Sequence, residues 1–319
     1  MGITRFPNGI SSMASPINHG TYLTTGSVYY VDSNTGSNDY TGEDPEHPVA
    51  DIETAIAKCS SGLCDTIFLM PNHAETISSS TECMVNKSGI RVIGLGTGLN
   101  RPTFTLDTGT GSQIHVTSDA HSAWLENLYV VAGVDDLQMP FHIEASDVTL
   151  KDIEYTDAAS MEAAQVVVSS SAGSRGLTID GFIIRNATDV TGAADDKDFV
   201  FTIPHMSRCE IKNCFLITKT TSFMIASCSG GTTGERVNWI HDNYLCNLAA
   251  NTGLIGISSN AVQEFIINDN YLRGDSNSTA AVADLAGAEG STNVWLFRNK
   301  YVSGDGEIGA DILNDAMAS

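Results

Sequence analysis

A ten-residue pattern recurs along most of this chain and limits its fold more than any other feature. The clearest copy is Arg208-Cys209-Glu210-Ile211-Lys212-Asn213-Cys214-Phe215-Leu216-Ile217, which reads apolar–x–apolar–x–Asn–x–aromatic–apolar. With Asn213 as the reference column, the equivalent positions are Asn127, Asp152, Gly181, Asp242, Asp269 and Asn299, spaced 25 to 32 residues apart. A weaker copy, Ile90-Arg91-Val92-Ile93-Gly94-Leu95, precedes them. A period of roughly 20–50 residues marks a repeat architecture.

The pattern assigns faces. Two positions before the column stand Val92, Leu125, Leu150, Ile179, Ile211, Ile240, Ile267 and Phe297. Four before stand Ala123, Val148, Leu177, Cys209, Phe265 and Trp295, with Asn238 the exception. Strand alternation points these inward. Asn, Asp and Gly tolerate the left-handed backbone of a tight bend, so the column marks a corner between two strands. Three positions after it, Val130, Tyr155, Ile184, Leu216, Leu245, Leu272 and Val302 return to the core. A further strand set lies between copies: 141–143, 165–168, 199–203, 223–225, 254–257 and 281–283. Two to three strands in each turn predict an all-β fold, a right-handed parallel β-helix, with coils ~4.8 Å apart. Leucine-rich repeats need a Leu/Asn consensus and helices, and propeller blades need about four strands in 40–45 residues.

The expected organisation is an extended N-terminal arm at 1–26, an entry unit at 27–88, coils at 89–304 and a C-terminal cap or tail at 305–319. In the entry unit, Val28–Asp32 reads as a strand and Asp65–Pro71 as a buried strand. Between them Asp51 caps a short helix whose Ile52, Ala55, Ile56 and Cys59 share a face. A solenoid's first coil has an open apolar end, which such a helix can cover. Val31-Asp32, Gly36-Ser37, Gly42, Pro48, the helix, then Asp65-Thr66-Ile67 and Pro71 resemble the N-terminal entry of β-helices of the pectate-lyase-like superfamily. The opening Met1-Gly2-Ile3-Thr4-Arg5-Phe6-Pro7-Asn8-Gly9-Ile10 resembles the start of tailed-phage virion structural proteins. That second resemblance implies a virion protein, a homotrimer among elongated β-helices of this kind.

Composition narrows the partners. Lys+Arg is 16 against 38 Asp+Glu, a net charge of −22, which disfavours nucleic acid and anionic membranes. Residues 1–25 lack a basic region followed by an apolar one, so synthesis in a cytoplasm is expected. Reduced thiols fit that setting for the 7 Cys, although Cys59 and Cys64 lie close enough in sequence to bridge. No Cys/His grouping has zinc spacing, so neither metal nor cofactor is expected. The loop from Asp32 to Glu43 only superficially resembles a calcium loop, since Gly36 stands at its fifth position.

Two outward stripes follow from the register. One before the column come Glu126, Lys151, Asp180, Lys212, His241, Asn268 and Arg298. Asp180 and His241 flanking Lys212 could serve acid–base cleavage of glycans, but alternating signs also suit a charge ladder between strands. Three before the column come Trp124, Thr149, Thr178, Glu210, Trp239, Ile266 and Leu296. Trp124, Trp239, Ile266 and Leu296 on an outward face predict a subunit or partner interface. The acidic clusters Asp135-Asp136 and Asp195-Asp196-Lys197-Asp198 sit before strands of the third set, as solvated loops or as a carboxylate pair for glycan hydrolysis.

The expected function is a non-enzymatic decoration or cement protein on a phage capsid surface. Its partner is the major capsid protein, docked through an arm carrying Ile3, Arg5, Phe6 and Ile10. The alternatives are a tailspike-type glycan depolymerase and a non-catalytic receptor-binding tail protein.

Overall fold

The structure is a computed structural model. It describes residues 11–12, 15–16, 25–158 and 161–302, the last span with interruptions at 162, 171, 174, 186–196, 205, 229–236, 249–252, 259–262, 275–282 and 285–291. The docking residues Ile3, Arg5, Phe6 and Ile10, the pair Asp195-Asp196 and the tail 305–319 lie outside the described residues.

Three parallel sheets wrap one core. The first has ten strands, from Val28–Val31 through Thr66–Leu69, Arg91–Gly94 and Trp124–Glu126 to Thr292–Phe297. The second has nine, from Ala74–Ile77 to Lys300–Val302, and the third eight, from Cys83–Val85 to Ala283–Asp284. In the coils each sheet takes every third strand of the chain in order, which is the connectivity of a right-handed parallel β-helix.

The inward positions behave as the alternation requires. Val92, Leu150, Ile179, Ile211, Ile240 and Ile267 are each fully buried, within one continuous core running from Tyr29 to Leu272. Larger rings fill the middle, with Phe182 edge-on to Phe141 at 5.8 Å and to Phe201 at 5.3 Å between centroids. Asn238, the polar residue at an inward position, is buried and satisfied. Its Oδ1 accepts from the Cys209 N–H at 3.1 Å and its Nδ2 donates to Met206 O at 3.2 Å.

The bend column is left-handed in six coils: φ is +57° at Asn127, +51° at Asp152, +72° at Gly181, +54° at Asn213, +55° at Asp242 and +56° at Asp269. At Gly181 a side chain would also meet Asp152, whose Oδ1 lies 2.6 Å from where a Cβ would sit. In the last coil the left-handed residue is Arg298, φ +56°, and not Asn299. Register confirms the shift, pairing Ile267 with Leu296 and Asn268 with Phe297. Leu296 therefore turns toward the core, while Trp295 and Phe297 face out. The expected inward places of Trp295 and Phe297 and the outward place of Leu296 are corrected by that one-residue step, because a strand's faces alternate with period two, while Arg298 stays exposed but forms the bend.

Asn299 belongs to a different column. Asn243, Asn270 and Asn299 stack one position past the bend. The backbone N–H of Cys214 donates to Asn243 Oδ1, that of Asn243 to Asn270 Oδ1, and that of Asn270 to Asn299 Oδ1, at 2.9, 3.1 and 3.0 Å. Their Nδ2 groups donate to Ile211 O, Ile240 O and Ile267 O.

The entry helix spans Ile52–Lys58 and packs on the strands Val28–Val31 and Cys83–Val85. Asp51 Oδ1 accepts from the Thr54 N–H at 2.7 Å, and Ile52, Ala55, Ile56 and Cys59 are buried. Lys87 Nζ closes the other end, donating to Ile56 O and Ala57 O at 2.9 Å and also to Cys59 O. A cation on the last carbonyls suits the negative end of a helix. Cys59 is a thiol whose Sγ donates to Ala55 O, so it forms no bridge with Cys64. No helix among the described residues is long and apolar enough to cross a membrane.

Candidate functional site

The outer face of the first sheet gathers the two stripes. Strand register sets Glu126, Lys151, Asp180, Lys212, His241 and Asn268 side by side along the rod. Lys151 Nζ reaches Glu126 Oε1 at 2.9 Å, a true rung of the charge ladder. Further along, the rungs turn elsewhere. Asp180 Oδ1 accepts from Asn213 Nδ2 at 2.7 Å, and Lys212 Nζ donates to Glu210 Oε2 at 2.8 Å. His241 spans Glu210 Oε1 at 3.2 Å and Asp242 Oδ2 at 2.7 Å. Burial alone would raise the Glu210 carboxyl. Hydrogen bonds from Lys212 and His241, with their charge, outweigh it and hold Glu210 below the usual glutamate range. Asp152 goes the other way, raised by burial and by Glu126 and Asp180, with Lys151 opposing.

The aromatic stripe divides in two. Trp124 is partly buried and dressed by neighbours. Its Nε1 donates to Glu126 Oε2 at 2.8 Å, and Arg91 and Lys151 lie over its ring at 5.9 and 6.0 Å. Trp239 stands four strands away, roughly 19 Å at the spacing between strands, so the structure does not bring the two together. Trp239 instead joins Ile266 and Trp295, which lie in register on successive strands. Val237 flanks this row on one side and Phe297 on the other. Of seven large apolar side chains exposed among the described residues, four are in this patch: Val237 at 47%, Trp239 at 42%, Trp295 at 63% and Phe297 at 43%.

The patch is rigid at its centre. Trp239 Nε1 donates to Asn268 Oδ1 at 2.6 Å, and its ring stacks on His241 at 3.9 Å between centroids. Two bonds of different kinds fix the ring's tilt, leaving its exposed side as a preformed contact surface. Trp295 was legible as an aromatic residue at the end of the repeat but was assigned inward, because Asn299 looked like the bend.

Other candidates resolve differently. The Asp32 carboxylate is spent on its own turn, accepting from the Asn34 N–H at 2.9 Å and from Thr35 Oγ1 at 2.8 Å. Asp135 and Asp136 are exposed, with Asp136 at φ +56°. On the third sheet, His115, His142 and Glu144 converge, with their candidate ligand atoms all within 4.8 Å of one another. Burial, with His115 beside it, lowers the His142 pKa against the opposing pull of Glu144. This group was missed from the sequence because its members are 27 residues and two residues apart, a spacing that means proximity only once the coil length is fixed.

No family model matches the sequence, and no curated protein matches it. Among solved structures, the fold is similar to a protein described as rhamnogalacturonan lyase, at 11% identity and a TM-score of 0.43, over 91% of this chain and 90% of that one. It is also similar to the GH136 lacto-N-biosidase from Eubacterium ramulus, at 10% identity and a TM-score of 0.32, over 86% of this chain and 67% of that one.

Proposed function

We propose that this chain is a structural, contact-making β-helix of a tailed-phage particle, set on the capsid exterior by its N-terminal arm and self-associating as a homotrimer. The observation that carries the contact role is the patch of Val237, Trp239, Ile266, Trp295 and Phe297 on one face of the rod. Exposed aromatic groups in register, with one ring pinned by a hydrogen bond and a stack, suit burial against a partner at little entropic cost. Beside the patch, Glu210 is held by Lys212 on its own strand and by His241 on the next, bonds that brace the sheet, which is a mechanical role. The phage setting rests on the resemblance of Met1–Ile10, with Ile3, Arg5, Phe6 and Ile10 as docking residues on the major capsid protein.

Two measurements test this reading. Light scattering on the full chain should give a trimer that dissociates in the Trp239→Ser/Trp295→Ser variant. Deleting residues 2–20 should abolish binding to undecorated capsids without changing the fold. A monomeric wild type counts against the assembly, and undiminished capsid binding counts against the arm.

A second reading is glycan cleavage. It is favoured by the register that sets Asp180, Lys212 and His241 side by side next to the Trp239 ring. It requires turnover of a host capsule polysaccharide that is lost in Asp180→Ala.

A further inference from the structure

The outer face of the third sheet carries a cluster that the contact role does not use. His115 and His142 are in register on adjacent coils, centred on the strands Ile114–Val116 and Phe141–Ile143. Their inward neighbours Ile114, Val116, Phe141 and Ile143 are core residues, so both imidazoles project outward from rigid backbone. The rings lie 4.8 Å apart and 11° from parallel. Glu144 follows one residue after the strand that holds His142, on the same face, and its carboxylate meets both rings. Its Oε2 is 3.2 Å from His115 Nε2, and its Oε1 is 3.7 Å from His142 Nε2.

These contacts leave one polar atom of the cluster without a hydrogen bond. His115 Nε2 is buried and, although close to Glu144, is not in line for a hydrogen bond. Thr117 Oγ1, two residues further along the same strand direction, is also buried without a partner. Among the described residues these are the only two buried side-chain polar atoms left unpartnered, and both belong to this patch. A buried donor or acceptor without a partner costs about 1–3 kcal/mol and calls for an explanation such as a bound ion.

We propose that His115, His142 and Glu144 form a binding site for a divalent first-row transition ion of the zinc class. Two imidazole nitrogens and one carboxylate oxygen are a ligand set that such ions take, with the remaining position open to water. Ligand bonds of ~2.0–2.2 Å in a tetrahedral site place neighbouring donor atoms at about the separations seen between Glu144 and each imidazole, and the two stacked rings would turn about their Cβ–Cγ bonds to converge on the ion. Oxygen-preferring calcium and magnesium are excluded by the nitrogen majority. The ion would tie one coil to the next across a strand pair, adding a cross-link where the cluster now has an unmatched polar atom.

Cobalt(II) is the probe. The full chain, freed of any polyhistidine tag and stripped by a chelator, is titrated with Co2+ and followed by visible absorption. Expected are one equivalent of Co2+ with ligand-field bands of a nitrogen/oxygen site, displacement by one equivalent of Zn2+, and a melting temperature that rises with Zn2+. His142→Ala and Glu144→Gln should each weaken binding at least tenfold and abolish the thermal shift, while His121→Ala should bind as wild type. Glu144→Gln keeps the side-chain shape, so the test does not depend on His142→Ala folding. Absence of the ligand-field bands, a thiolate charge-transfer band reporting ligation at Cys64, or wild-type binding by Glu144→Gln would each overturn the site.

Discussion

Asn243 and Asn270 show how much one amide can hold in this architecture. Each is almost fully buried, accepts from a backbone N–H on the preceding coil and donates to a backbone carbonyl there. Asn270→Ala would strand the Asn243 N–H and the Ile240 carbonyl in a place water does not reach. An unmet buried group costs about 1–3 kcal/mol, so a loss of ~2 kcal/mol in urea unfolding is expected. A loss under about 0.5 kcal/mol would mean that the coil relaxes to find other partners. Glu210 gives a pH signature at the same scale. Its folded pKa is depressed, so its contribution is present above the unfolded value of ~4.3 and is lost as pH falls through the lower folded one. The melting temperature should therefore drop on acidification below about pH 4.3. Glu210→Gln should flatten that slope and leave the neutral-pH melt little changed in shape.

Among the elements, the entry helix is short enough that its ends decide whether it forms. Seven residues cannot sustain an isolated helix, so the Asp51 cap, the Lys87 clamp and the buried face of Ile52, Ala55 and Ile56 carry it. Asp51→Ala should cost about 0.5–2 kcal/mol, read as a lower denaturation midpoint. This element was legible residue by residue, because a cap followed by i, i+3, i+4 spacing is local information. The coils were legible for the same reason, since alternation and a bend column are written into each repeat. The last coil was misread because its bend is Arg298, a residue type seldom left-handed, followed by an Asn that does a different job. That single step moved Leu296 in and Trp295 and Phe297 out, two of the five residues of the contact patch. The metal cluster was illegible for a different reason: His115 and His142 meet only through a pairing that depends on the exact length of the turn between them.

At the scale of the molecule, the question is whether this rod unfolds as one body or coil by coil. Each coil contacts only its neighbours, and in such stacks stability is the sum of each unit and its interfaces, so an end can open while the middle stays closed. Two thiols report on the two regions. Cys59 lies at the end of the entry helix and Cys214 in the middle of the rod, and burial pushes the pKa of each up to about 12. The thiolate is the reactive form, so both are protected until their surroundings open. In the wild type under native conditions, a thiol reagent should label Cys59 faster than Cys214. Removing the cap with Asp51→Ala should speed labelling at Cys59 about fivefold, the rate equivalent of ~1 kcal/mol, and leave Cys214 unchanged. Asn270→Ala, on the far side of Cys214, should do the reverse. Mass spectrometry of pulse-labelled peptides reads both sites in one experiment. Equal acceleration of the two thiols by either substitution would show that the core from Tyr29 to Leu272 opens as a single cooperative unit. Nearest-neighbour coupling would then be stronger than the stacking of separate coils implies.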